Sequence, residues 1–136
     1  MTRHELREAI FKTIFQMPFF DEGIPELNSD EEFISEFISE YKPSENNKVY
    51  IMSKVKDISD NLSSIDECIE KNSNGWKLAR IGKSELAILR VAVYEILFDD
   101  DIPDKVAINE AVELAKEYAG DKSASFINGV LSGLVL

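Results

Sequence analysis

The stretch KSELAILRVAVYEILFD, residues 83–99, does most to restrict what this chain can fold into. Leu86, Leu89, Val93, Ile96 and Leu97 recur at helical spacing, so a strongly apolar helix must be buried against other elements. The same period returns along the chain. Leu6, Ile10, Phe11, Ile14 and Phe15 share a face near the start, which places Arg3, His4, Arg7 and Lys12 largely on other faces. Phe33, Ile34, Phe37, Ile38 and Tyr41 form a stripe in NSDEEFISEFISEYK, and Val49, Tyr50, Met52, Val55 and Ile58 form that of a helix over 45–61. Pro18 and Pro43 close helices. Ser29 with Glu32, and Ser64 with Glu67 ahead of IDECIEKN, have capping-box spacing.

Asn74–Gly75 marks a turn and DDDIP a connection. A helix follows over Asp104–Tyr118, with Gly120 as its C-terminal cap, and KSASFINGVLSG forms the last helix. No strand-turn-strand alternation is present. About seven helices with short loops predict an all-α bundle. The chain reads as one helical domain over 1–136, its N-terminal sub-bundle covering about 1–72 and its C-terminal sub-bundle about 73–136.

Several classes of function are excluded on spacing. GKS at Gly82–Ser84 lacks the earlier glycine of a phosphate-binding P-loop, because Lys77 stands in its place. DDDIPDKVAINE puts Asp99, Asp101 and Glu110 at calcium-loop positions, but Pro103 and Asp104 replace a ligand and the required glycine. One histidine, His4, and one cysteine, Cys68, build neither a zinc site nor an internal disulfide. No nucleophile–base pair is visible, so the reading is a protein that is not an enzyme and needs no cofactor or metal. No apolar run reaches the roughly 18 residues that cross a bilayer, and charges interrupt MTRHELREAIFKTIFQ where a signal peptide must be apolar. A soluble cytoplasmic protein is expected.

The net charge of −11 argues against nucleic-acid binding only if it is uniform. It is not. Nine acidic residues between Asp21 and Glu45 face a single Lys42, so most of the excess is local and a basic face elsewhere is open.

The last helix poses its own question, since glycine costs roughly 1 kcal/mol relative to alanine inside a helix. Gly129 and Gly133, four apart, are expected to admit a neighbouring helix, and Asn128 to satisfy backbone groups at that crossing.

ELAILRVAVYEIL, then PDKVAINEAVELAKEYAGDKSASFINGVLSGL, and REAIFKTIFQ near the start resemble the NusB family of bacterial transcription antitermination factors. The match is specific and in order over residues 76–134, whereas 21–72 agree as helices of suitable length. The resemblance implies two small helical bundles packed across each other. It implies binding of the boxA element of RNA together with NusE, a small-subunit ribosomal protein, within the RNA polymerase antitermination complex on ribosomal RNA operons. A free-standing factor is expected rather than the NusB-like domain fused to RNA cytosine methyltransferases, because 136 residues leave no room for that catalytic domain.

By the same resemblance the first helix meets RNA phosphates through Arg3 and Arg7, with His4 alongside and Lys12 further on. Glu5 and Glu8 depart from the arginine-rich pattern of the family. Arg7→Glu is then expected to weaken RNA binding without unfolding the chain. Phe126, the aromatic before INGV, is either a stacking platform for a base or part of the core. Lys122 and Ser123 open the last helix, where free N–H groups favour phosphate, and Ser123 also suits a cap. Arg90 and Lys105 are further basic candidates, with Arg90 equally suited to pairing with Glu110 or another carboxylate. Phe15 and Glu85 match the NusE-facing surface, although Glu85 also suits the dipole at the start of its own helix. The alternative function is a helical protein-binding scaffold without significant RNA affinity.

Overall fold

In a computed structural model, which describes residues 1–17, 34–36 and 38–135, six α-helices follow one another. They are α1 (Arg3–Gln16), α2 (Glu45–Asp60), α3 (Leu62–Lys71), α4 (Lys83–Phe98), α5 (Asp104–Tyr118) and α6 (Asp121–Val135). Residues 34–36 are helical as well, and short 3-10 turns cover Ser39–Tyr41 and Leu78–Arg80. No strand occurs among the described residues, in line with the all-α expectation. The readings placed on Pro18, on the Ser29–Glu32 box, on Phe33 and Phe37 and on the acidic residues from Asp21 to Glu32 lie outside the described residues. None of the described helices is long and apolar enough to cross a membrane.

The chain divides into two compact units, Met1–Asp60 and Asn61–Leu136. In the first, α1 is started by a reciprocal cap. The Thr2 hydroxyl accepts from the Glu5 amide at 3.0 Å, and the Thr2 amide donates to Glu5 Oε1 at 2.9 Å. These bonds from Thr2 hold the Glu5 carboxyl below its ordinary range. A lowered folded-state pKa stabilises the helix start above the unfolded glutamate value of about 4.3 and is lost as pH falls through the lower folded value. The Thr2 amide, which donates to the Glu5 carboxylate, should therefore lose its hydrogen-exchange protection on acidification, and a Glu5→Gln chain should show no such pH step.

Helices α1 and α2 bury Ile10, Phe11 and Ile14 together with Ile51, Val55 and Ile58. The stripe expected for α2 is thereby shifted. Val49 and Tyr50 are exposed, and Ile51 takes the buried place, because the face that meets α1 runs through residues 51, 55 and 58.

In the second unit α4 is buried on nearly every side, from Ala87 to Glu95 except Arg90. That fits its predominantly apolar composition. Helices α3, α5 and α6 pack around it. They contribute Ile65 and Ile69, then Ala107, Ala111, Leu114 and Ala115, then Ala124, Ile127, Val130 and Leu131. The alanines on α5 allow its backbone to come close to its neighbours. Ser64 does not cap α3, which already begins at Leu62 with Asn61 in the preceding position. Gly120, at φ +103°, closes α5, its amide donating to the Ala115 carbonyl at 2.7 Å as a left-handed C-terminal glycine does.

Candidate nucleic-acid interface

The most exposed aromatic of the second unit is placed by a turn that the sequence shows plainly. Asn74 (φ 51°) and Gly75 (φ 88°) are both left-handed, and the Trp76 amide returns to the Ser73 carbonyl at 3.0 Å. Two positive φ values in succession with that closure are the geometry of a type I′ turn, for which Asn-Gly is the preferred pair. The turn is anchored from below, since buried Ser73 donates its hydroxyl to the Ile69 carbonyl at the end of α3. Trp76 is thereby held out with 53% of its surface exposed. Phe126, half-buried on α6, meets it edge-on at 6.3 Å between ring centroids and 67° between planes. The core stripe of α6 is filled by Ala124, Ile127, Val130 and Leu131, so Phe126 stands beside the core rather than within it.

Lys122, Phe126, Gly129 and Gly133 follow one another at spacings of four, three and four, and so share one stripe of α6. The stripe is open. Lys122, Gly129 and Gly133 are exposed, and a methyl group on Gly129 would meet nothing within 4 Å. A methyl on Gly133 would touch only Asn72 Oδ1, at an ordinary 3.7 Å. Asn128 is exposed too. The helix crossing expected at these glycines is thus absent among the described residues, and Asn128 serves no buried junction. Gly129→Ala is accordingly expected to stabilise the protein by about 0.5–1 kcal/mol, read from the urea midpoint, because it removes backbone freedom at no steric cost.

The basic candidates separate into engaged and open ones. Arg90 lays its guanidinium on the Asp66 carboxylate, with Nε–Oδ1 at 2.9 Å and Nη2–Oδ2 at 2.8 Å. This fork joins α4 to α3 instead of facing a phosphate. Lys12 lies 3.5 Å from Glu40 and 3.8 Å from Glu8, with its ammonium 5.2 Å from the centroid of the Tyr41 ring. Tyr41 in turn donates to Glu8 at 2.7 Å, and burial with that bond pushes its hydroxyl pKa well up. Arg7 is buried, at 7% exposure, which removes it from the solvated face expected of it. Arg3, Lys105 and Lys122 are exposed, and His4 is half-buried. Ser123 is the third residue of α6, behind Gly120 and Asp121, and so does not occupy the capping position.

Of the two residues matched to a protein partner, Phe15 is half-buried with its ring 6.2 Å from Phe11. Glu85 is the third residue of α4, where its carboxylate lies over the helix start, within 2.6 Å of where a methyl on Gly82 would stand. Trp76 was not legible as a site residue from helical periodicity, because it belongs to no helix. The signal was there in another form, as a large aromatic directly after an Asn-Gly turn.

Comparison with known proteins is consistent across the chain. A family model described as the NusB family matches residues 4–135. The transcription antitermination protein NusB of Agathobacter rectalis is 45% identical over 132 residues, covering 97% of this chain and 98% of that protein. Among solved structures, T. maritima NusB superimposes with a TM-score of 0.82 at 34% identity, over 98% of this chain and 90% of that one. A structure of the antitermination factors NusB and NusE in complex with dsRNA has a TM-score of 0.77 at 24% identity, over 97% of this chain and 94% of that one.

Proposed function

The chain belongs to the NusB family of transcription antitermination proteins, and on that premise we propose that it is a non-catalytic cytoplasmic adaptor that binds boxA RNA together with NusE. The observation that carries the RNA half of this reading is exposed Trp76 set edge-on against half-buried Phe126 of the open α6 stripe. Among the described residues neither glycine of that stripe is explained by packing, while both leave a flat path on which a nucleic-acid backbone can lie close to the helix. Aromatic faces take unstacked bases, and Lys122 shares the stripe as a phosphate contact. The NusE half is supported by the fold shared with the NusB of the NusB–NusE–dsRNA complex and by Glu85 at the start of α4.

Trp76→Ala should weaken binding of a boxA-type RNA by about tenfold, within the 1–3 kcal/mol that one stacked base contributes. Its thermal midpoint should stay near that of the wild type, because the side chain is half in water. With Arg7, Lys12 and Arg90 engaged, the exposed cations Arg3, Lys71, Lys77, Lys105 and Lys122 neutralise at most about five phosphates, so log K should fall with log salt at a slope no steeper than about −3.5 for a single strand. NusE should then tighten the complex. Unchanged affinity in Trp76→Ala would remove this ring from the RNA path, and no boxA binding even with NusE present would leave a purely protein-binding scaffold as the better account.

A further inference from the structure

Next to Trp76 lies a shallow groove lined also by Glu67, Glu70, Lys71, Gly75 and Lys77. Glu67, Glu70 and Lys71 project from one face of α3, at spacings of three and four. Gly75 and Lys77 flank the tryptophan on the chain that leaves the Ser73–Trp76 turn. Lys77 Nζ stands 3.5 Å from Glu70 Oε1, whereas Glu67 is exposed with no ion pair among the described residues. The groove therefore offers an aromatic face, an open carboxylate and two ammonium groups within one small area.

Each part selects a different piece of a nucleotide. An exposed indole takes the flat face of any base. Ammonium groups take phosphate. An ionised carboxylate only accepts hydrogen bonds, so it favours a base edge that donates. Guanine alone has two adjacent donors, N1–H and the N2 amino group, that match both oxygens of one carboxylate. Uracil sets its single N3–H between two carbonyl oxygens, which the carboxylate repels. Resting on the RNA-binding reading above, we infer that this groove holds one unpaired guanine of the bound RNA, stacked on Trp76 with its Watson–Crick edge on the Glu67 carboxylate. A cationic side chain of a protein would also suit an aromatic beside two carboxylates, but Lys71 and Lys77 line the same groove and oppose it.

Trp76 is the only tryptophan of the chain, so its fluorescence reports on this groove alone. The full chain would be titrated with the RNAs UUGUU, UUAUU, UUCUU and UUUUU, alongside filter retention of a boxA-type RNA. Quenching by UUGUU with affinity about tenfold above that of UUUUU is expected, the discrimination of one bidentate contact. Glu67→Gln should bring the two affinities to within about twofold, because an amide both donates and accepts and so suits either base. Equal quenching by all four RNAs would overturn the guanine reading and leave RNA binding intact. Retention of boxA RNA without any quenching would overturn the placement of a base on Trp76. Loss of both signals would overturn the RNA-binding reading itself, and quenching by an arginine-containing peptide alone would assign the groove to a protein.

Discussion

Arg7→Glu is expected to unfold the chain or to cost it about 3 kcal/mol or more, measured as a shift of the urea midpoint. Arg7 stands at 7% exposure, in a helix whose next residues Ala9, Ile10 and Phe11 are all buried. Reversal puts a carboxylate where the surroundings accommodate a guanidinium, with little water to relieve the mismatch. Arg3→Glu is the matched control. Arg3 is exposed one turn earlier, and its reversal should change stability by less than about 0.5 kcal/mol. Any loss of RNA binding in Arg7→Glu would accordingly report lost structure, whereas a loss in Arg3→Glu would report a lost phosphate contact. A folded Arg7→Glu protein with wild-type stability would show that the guanidinium is not held in the interior at all.

Asp66→Ala should destabilise the second unit by about 2–3 kcal/mol. The Asp66–Arg90 pair is bidentate and its side chains keep only 18% and 12% of their surface, so solvent screens it far less than the exposed pairs such as Lys56–Asp60. Removing the carboxylate leaves a largely buried guanidinium short of its two-oxygen acceptor. The comparison that isolates the pair is a double-mutant cycle with Arg90→Met. The double variant should recover much of the loss, since two apolar residues desolvate at little cost. If the single and double variants were equally unstable, packing of the Asp66 and Arg90 stems rather than the ion pair would be holding α3 to α4.

Arg7 also shows how near the sequence came. Residues 7, 11 and 14 are spaced four and three apart, so Arg7 shares the helix face of Phe11 and Ile14, and burial of that face carries the arginine inward. The Thr2–Glu5 capping box was likewise written in the sequence. The Asn74–Gly75 turn and Gly120 were legible outright, because positive φ is a local demand that few residues meet. The glycines of α6 were different. A small residue at helical spacing looks the same whether it faces a neighbouring helix or water, and only the position of the other helices decided that Gly129 faces water.

The sequence by itself determined the helices, the turn that presents Trp76, the α4 helix around which the second unit packs, and the family. All of these rest on periodicity, on backbone conformation, or on a pattern of residues along the chain. What the tertiary structure alone decided is which charges are spent. Arg90 is committed by Asp66, 24 residues away, Lys12 by Glu40, 28 residues away, and Trp76 meets Phe126 only because α6 returns to the turn. Whether a cation or an aromatic ring is available to a ligand depends on what the fold brings within a few ångströms of it. That distance is set by packing between segments remote in sequence, and no local pattern carries it.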